Sequence, residues 1–258
     1  MSKTVYKSRK GYLAKATDPH QYDSLEIDWG KEGAGDSPAR QFFQEYLKRY
    51  LEDLNRKTVV DIGSGTGSLF TLFKNRGARS ILGIEPSVKN IAISRRMYPD
   101  VPVFQGTLGE FRKKRKFDVA VAVMVFEHII DLDSAFIQVA AMLNPGGILY
   151  LIAGDKEYQT TPRFGYELDV EEVGNSVVIV RVKRKYGLLY DILRPTSHFD
   201  KAGKQAGFVV RKHIGMKPTK KFLEAEPKYK QFKDIVLTHL FMFRLSGEAM
   251  AYGKKRTT

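Results

Sequence analysis

Residues 59–67 read Val59-Val60-Asp61-Ile62-Gly63-Ser64-Gly65-Thr66-Gly67, an apolar run broken by one acid and followed by three glycines at alternate positions. Beyond them Leu69, Phe70, Leu72 and Phe73 recur at helical spacing. The order predicts a buried strand, a tight turn and a helix. Glycines allow the sharp turn and let a ligand approach the main chain without obstruction from Cβ. The helix start behind them offers unpaired N–H groups and the positive end of a dipole. The dinucleotide pattern G-x-G-x-x-G needs Gly or Ala at position 68, where this chain has Ser68. The phosphate-loop pattern fails as well, because no Lys follows the glycines. Asp61 would repel a pyrophosphate and instead favours a ligand that carries a cation, such as an amino group.

The flanking sequence repeats the theme. Short apolar runs at 58–62, 80–85, 101–105, 117–123 and 147–153 alternate with helical patterns, as expected of a parallel sheet covered by helices on both faces. Ser37 and Pro38 read as the N-cap and first residue of a helix carrying Phe43, Tyr46, Leu47, Tyr50, Leu51 and Leu54. Asp133 reads as the N-cap of another, with Phe136, Val139, Ala140 and Leu143 on one face and Asn144-Pro145-Gly146-Gly147 as its stop. After Asp155 the pattern changes: runs at 170–173, 176–184 and 188–193, separated by Gly174-Asn175 and by Gly187, predict a small antiparallel insertion. A helix at 200–206 and strands at 208–213 and 239–245 resume the α/β order. Glu85 closes the second strand with a carboxylate able to accept hydrogen bonds from two ribose hydroxyls; the other reading makes it a cap for the helix after Pro86-Ser87.

Composition narrows the chemistry. The 258 residues are 43% hydrophobic and 28% charged, enough for a full core, and contain no cysteine. Disulfides, thiolate metal sites, iron–sulfur clusters and cysteine nucleophiles are thereby excluded. No apolar run has the length of a signal peptide or membrane span, so a cytoplasmic protein is expected. Lys plus Arg outnumber acids 43 to 29, for a net charge of +14. Residues 201–258 contribute 14 basic and 4 acidic residues, and Arg112-Lys113-Lys114-Arg115-Lys116 forms a second basic knot. A nucleic-acid surface and a solvated basic face both fit; no nucleic-acid module interleaves with these residues, which favours the second.

The 61–67 run, Glu85, Gln105-Gly106, the segment Val123-Met124-Val125-Phe126-Glu127-His128 and Leu143-Asn144-Pro145-Gly146-Gly147 together resemble the class I S-adenosylmethionine-dependent methyltransferases. The resemblance runs through residues 40–155 and returns weakly at Ala206-Gly207-Phe208. It implies a Rossmann-like α/β fold: a seven-stranded, mostly parallel sheet with the last strand antiparallel and helices on both faces, here with the antiparallel β insertion after the fifth strand. It implies S-adenosyl-L-methionine as cofactor and S-adenosyl-L-homocysteine as product. Asp61 and the backbone at Gly63, Ser64 and Gly65 would hold the methionine portion, Glu85 the ribose, and Gln105, Gly106 and Thr107 the adenine, with Gly67 and Pro86 also among the cofactor-binding residues. Val123, Met124 and Val125 would floor the site. The family often has an acid where this chain has Gln105 or Thr107. One domain is expected, divided into an N-terminal lid or cap segment (1–36), a cofactor-binding core (37–155), a substrate-side insertion (156–197) and a final helix and strands with a basic tail (198–258).

Methyl transfer is an in-line displacement that mostly needs alignment and exclusion of water. A base is required only where the acceptor must lose a proton before or during attack. His128, past the fourth strand, is the candidate catalytic residue, as base or acceptor-orienting group; packing at a strand-to-helix corner is the other reading. Glu127 reads as a helix-start or solvent charge. His198 reads as part of a helix entry, with a second base as the alternative. Asp131-Leu132-Asp133 reads as a cap, and with five scattered His and no H-E-x-x-H no metal is expected. Tyr6, Tyr12, Tyr22 and Trp29 form either a lid or edge packing. Tyr158, Phe164, Tyr166, Tyr186 and Tyr190 form either acceptor-site walls or the packing of the small sheet. Residues 125–128 lack the N-P-P-Y-like tetrapeptide of the related base-amino methyltransferases. The Phe126-Glu127-His128 step resembles the enzymes of this family that methylate small molecules, and that resemblance implies an O or N atom of a small organic metabolite as the acceptor. An RNA or protein methyltransferase using the basic C-terminal surface is the alternative, followed by a non-catalytic cofactor binder or an NAD-dependent Rossmann protein.

Overall fold

A computed structural model describes residues 6–25, 37–112, 115–156, 167–174, 176–184 and 187–246. The elements run α1 (Tyr12–Ala16), α2 (Pro38–Tyr50), β1 (Thr58–Ile62), α3 (Phe70–Asn75), β2 (Ser80–Glu85), α4 (Val88–Met97), β3 (Val103–Gln105), β4 (Phe117–Val123), α5 (Leu132–Met142), β5 (Leu143–Ala153), β6 (Glu167–Gly174), β7 (Val177–Arg184), β8 (Gly187–Leu193), α6 (Thr196–Gln205), β9 (Phe208–Met216), α7 (Lys220–Ala225) and β10 (Thr238–Leu245). Seven strands form one sheet in the order β3-β2-β1-β4-β5-β10-β9, with β10 antiparallel to both neighbours and the first five strands parallel. β6, β7 and β8 form a separate antiparallel sheet. The fold is the expected α/β sheet with an antiparallel insertion.

β1 is buried along its whole length because each of its faces meets a hydrophobic layer. Val60 and Ile62 join Phe126, Phe136, Phe199 and Phe243 on one side of the sheet. Val59 joins Phe70, Phe73, Tyr150 and Met242 on the other, beneath α2. β2 leaves β1 on one side and β4 on the other, so the chain order reverses at β1. That reversal opens a crevice beyond the carboxyl ends of the strands, where ligands of open α/β sheets bind. Ser37 caps α2 as expected, its hydroxyl accepting from Arg40 N–H.

Local chemistry moved several boundaries. The cap of α5 is Asp131, which accepts from Ser134 N–H at 3.0 Å, and not Asp133, which lies in the first turn. Strand β5 starts at Leu143, so Leu143 and Asn144-Pro145-Gly146-Gly147 belong to it and not to the helix. The tetrapeptide stands out as a bulge: Phe117 pairs with Leu143 and Val119 with Ile148, five residues on against two. Asp118 ties this bulge to β1, accepting from Asn144 Nδ2 at 2.7 Å and from Thr58 N–H at 2.8 Å. β3 begins at Val103 rather than 101, and α6 at Thr196 rather than 200. Among the described residues no helix is long and apolar enough to cross a membrane.

Candidate functional site

A cavity of about 640 Å³ occupies the crevice. Gly63, Gly65 and Gly67 have φ of 66°, 54° and 83°, the left-handed region that favours glycine. A Cβ on Gly63 would lie 2.4 Å from Val125, so this glycine lets β1 pass close to the end of β4. A Cβ on Gly65 would meet nothing within 4 Å, and Gly65 lines the cavity: its bare backbone faces open space. Gly67 packs toward Phe70 and Tyr98 and is not among the lining residues.

Two buried acids flank the turn. Asp61, 2% exposed, lines the cavity, and its Oδ2 has no hydrogen-bond partner among the described residues. Burial, helped by the nearby charge of Glu85, pushes its carboxyl well above the usual range. Glu85 is better served: Oε2 accepts from Gly65 N–H at 2.8 Å, and Oε1 from Ser87 N–H at 3.0 Å and Asn90 Nδ2 at 3.3 Å. Burial still raises its carboxyl, against the pull of those three donors. Glu85 therefore braces the glycine turn and the start of α4 while lining the cavity, and the N-cap itself is Ser87, whose hydroxyl accepts from Asn90 N–H. Ser64 lines the cavity with a hydroxyl that has no hydrogen-bond partner among the described residues.

Pro86, Gly106 and Thr107 also line the cavity, whereas Gln105 is exposed at the end of β3 and does not. Val123 at the end of β4 and Met124 and Val125 just beyond it line the cavity as well. Met124 holds φ 54° without being glycine, fixed by its N–H donating to Ile152 O at 2.8 Å. Such a residue costs roughly 1 kcal/mol and marks a spot that the surroundings over-determine.

Across from the turn stands His128, its ring held by the N-terminal segment. Gln21 Nε2 lies 3.0 Å from His128 Nδ1, and the Tyr22 hydroxyl 3.1 Å from Nε2. Burial holds the imidazole below its ordinary value. The same segment reaches the start of α4, where Asp23 Oδ1 accepts from Ser87 Oγ and Lys89 Nζ donates to Leu25 O at 2.7 Å. Of the N-terminal aromatics, Tyr22 lines the cavity; Tyr6 and Tyr12 pack on the inserted sheet with Val173 and Ile192. Tyr190 stacks edge-on against Tyr12 at 5.2 Å and does not line the cavity. Trp29, Tyr158, Phe164, Tyr166 and Tyr186 lie outside the described residues.

Glu127 departs from expectation. It is 2% exposed and accepts from Gly154 N–H, and burial pushes its carboxyl up to about 8. A residue beginning a short turn at a sheet edge looks solvated in sequence; here β8 packs against that turn and Gly154, just past β5, donates to the carboxylate. His198 lies on α6, 3.4 Å from Ser176 Oγ, away from the cavity lining. Gln21, Arg40 and Asp191 line the cavity although sequence reasoning passed over them. Arg40 was visible only as a residue in the first turn of α2, and Asp191 only as an acid interrupting an apolar strand.

The family model described as "Methyltransferase domain" matches residues 36–212. The chain belongs to this family. Curated relatives of this methyltransferase-domain protein include the ubiquinone biosynthesis O-methyltransferase of Bradyrhizobium sp. (strain ORS 278), 28% identical over 129 residues that make up 48% of this chain and 50% of the relative. That of Nitrobacter winogradskyi is 30% identical over 118 residues, 44% of each chain. The methyltransferase-domain chain thus spans about half the length of the curated relatives it matches. Among solved structures, an S-adenosylmethionine-dependent methyltransferase from Mesorhizobium loti superposes with a TM-score of 0.64 at 19% identity, covering 82% of this chain and all of that one. An S-adenosylmethionine-bound amino pentose methyltransferase from Micromonospora echinaspora superposes with a TM-score of 0.56 at 16% identity, covering 95% of this chain and 100% of that one.

Proposed function

We propose that the chain moves a methyl group from S-adenosyl-L-methionine to an O or N atom of a small organic molecule held in the same cavity. The observation that carries this reading is the unpartnered Oδ2 of Asp61, buried beside the bare backbone of Gly65. A buried carboxylate oxygen without a donor is costly unless a ligand supplies one. An amino-acid ammonium does so, and a pyrophosphate would make the cost worse. Bound there, the cofactor supplies an electrophilic methyl group on a sulfonium.

The chain's own residues supply binding and orientation. Asp61, Ser64 and the Gly63–Gly65 backbone take the amino-acid end; Glu85 and Pro86 take the ribose; Gly106 and Thr107 border the base. Val123, Met124 and Val125 floor the space between the cofactor half and His128. The segment carrying Gln21 and Tyr22 closes the acceptor side and excludes water, the main requirement of a displacement at a sulfonium. His128, hydrogen-bonded to Gln21 and to the Tyr22 hydroxyl, positions Tyr22 on the acceptor side of the cavity. On this reading residues 37–155 form the cofactor half and the insertion borders the acceptor.

The test is transfer of radiolabel from methyl-labelled S-adenosylmethionine to a panel of small phenols, alcohols and amines. The reading expects at least one labelled product and equimolar S-adenosylhomocysteine, and loss of both in Asp61→Ala. Label that enters only RNA or protein would overturn the small-molecule assignment.

A further inference from the structure

The described lining residues of the cavity include five acids, Asp18, Asp61, Glu85, Asp131 and Asp191, and one guanidinium, Arg40, in a chain whose net charge is +14. Four of the acids have employment. Asp61 and Glu85 belong to the glycine turn. Asp131 spends both oxygens on the start of α5, taking Ser134 N–H at 3.0 Å and Ser134 Oγ at 2.8 Å. Asp18 accepts from His20 N–H at 2.9 Å at an exposed edge.

Asp191 has none. It is 7% exposed and lines the cavity, yet no donor and no ion-pair partner among the described residues reaches its carboxylate. Packing does not account for it. Leu189, Asp191 and Leu193 share one face of β8, where Leu189 meets Leu25 and Leu193 meets Val178 and Val180. The pattern calls for an aliphatic residue at the middle position. Nor does Arg194, 2% exposed, neutralise it: its guanidinium donates to Ile129 O at 3.0 Å and forms no ion pair among the described residues. Asp191 sits on the acceptor side of the cavity, close enough to His128 that its charge favours protonation of a ring that burial otherwise keeps neutral. A carboxylate so enclosed has no counter-charge among the described residues, and a cation delivered by a ligand supplies one.

We propose that the methyl acceptor carries a protonated amine, anchored by the Asp191 carboxylate, and that acceptors bearing a carboxylate or phosphate are disfavoured. The proposal rests on the reading of the cavity as a methyltransferase site and holds whichever atom of the acceptor is methylated.

The test uses the full chain saturated with S-adenosylhomocysteine, titrated with compounds that share a skeleton and differ in charge. Tyramine, 4-ethylphenol and 3-(4-hydroxyphenyl)propionate form one series; cyclohexylmethylamine and cyclohexylmethanol form another. In at least one series the ammonium member binds at least about tenfold more tightly than its neutral partner, and the carboxylate is weakest. In Asp191→Asn that preference falls to about twofold or less, with S-adenosylhomocysteine affinity unchanged. The substitution removes an unpaired buried charge, so the variant folds at least as well as the parent. The wild-type ranking is informative without any variant. Neutral or anionic members that bind as tightly as their ammonium partners in both series, a set in which no ammonium compound binds, or a preference that survives in Asp191→Asn overturns the proposal. Failure of the wild-type chain to bind S-adenosylhomocysteine overturns the methyltransferase reading instead.

Discussion

Gln21 fixes the protonation of His128. Its amide cannot flip, because Nε2 donates to Ala16 O at 3.3 Å while Oε1 accepts from Tyr190 N–H at 3.1 Å. The group 3.0 Å from His128 Nδ1 is therefore a donor, and Nδ1 must accept. The imidazole is neutral with its proton on Nε2, which donates to the Tyr22 oxygen at 3.1 Å. Neither ring nitrogen is then a ready base, which supports the proposed positioning role of His128, exerted through Tyr22. Nitrogen-detected NMR of the ring should show an unprotonated Nδ1 near neutral pH, and Gln21→Glu should protonate it. A protonated Nδ1 in the wild type would contradict the assignment.

The same ring makes stability depend on pH. An unfolded chain binds the proton near the ordinary imidazole value of about 6.5, and the folded ring binds it only at lower pH. Stability is unaffected above that value and is lost as pH falls below it. Thermal melts from pH 7.5 to 5 should show a steeper fall for wild type than for His128→Asn; parallel curves would contradict this.

Glu127 works in the opposite direction. Its folded carboxyl stays protonated up to about 8, whereas an unfolded one ionises near 4.5. The wild type therefore loses stability as pH rises from about 4.5 to about 8, and no more beyond. Glu127→Gln keeps an oxygen for Gly154 N–H and cannot ionise. Its melting temperature should exceed the wild type's at pH 8, with the gain shrinking toward pH 5. A gain independent of pH would contradict the buried-acid account.

Gly63 and Gly65 separate folding from binding. Gly63→Ala combines a left-handed backbone, roughly 1–2 kcal/mol, with a Cβ driven into Val125, a further 1–3 kcal/mol or so. Gly65→Ala incurs only the backbone cost, and its methyl group stands in the cavity. Gly63→Ala should melt lower than Gly65→Ala, and Gly65→Ala, with the smaller drop, should lose S-adenosylhomocysteine affinity. Unchanged affinity in Gly65→Ala would mean that the turn does not carry the ligand.

Glu85→Ala should weaken cofactor binding and also reduce stability by about 1–3 kcal/mol, because Gly65 N–H and Ser87 N–H lose their shared acceptor. Calorimetry paired with a denaturant melt measures both effects. A loss in only one of them would assign Glu85 a single role.

The sheet was legible because its signals are local. The run into Gly63 needs only the apolar period and the glycines, and the β6–β8 meander needs only alternation with turn residues. What sequence could not supply was contact at a distance. Glu127 looks solvated until β8 folds over it, and Asp133 looks like a cap as much as Asp131 does until the backbone shows which carboxylate meets Ser134 N–H. Gln21 lies in a polar segment 107 residues from His128 and carries no periodic signal. Asp191 registers only as an interruption in an apolar strand, and its meaning depends on finding the cavity next to it.

The most direct measurement is isothermal titration of the full chain with S-adenosylhomocysteine and, separately, with NAD. One mole of S-adenosylhomocysteine bound per mole of chain, abolished by Asp61→Ala, and no heat with NAD is the predicted result. Saturable binding of NAD, or S-adenosylhomocysteine affinity that persists without the Asp61 carboxylate, would contradict it.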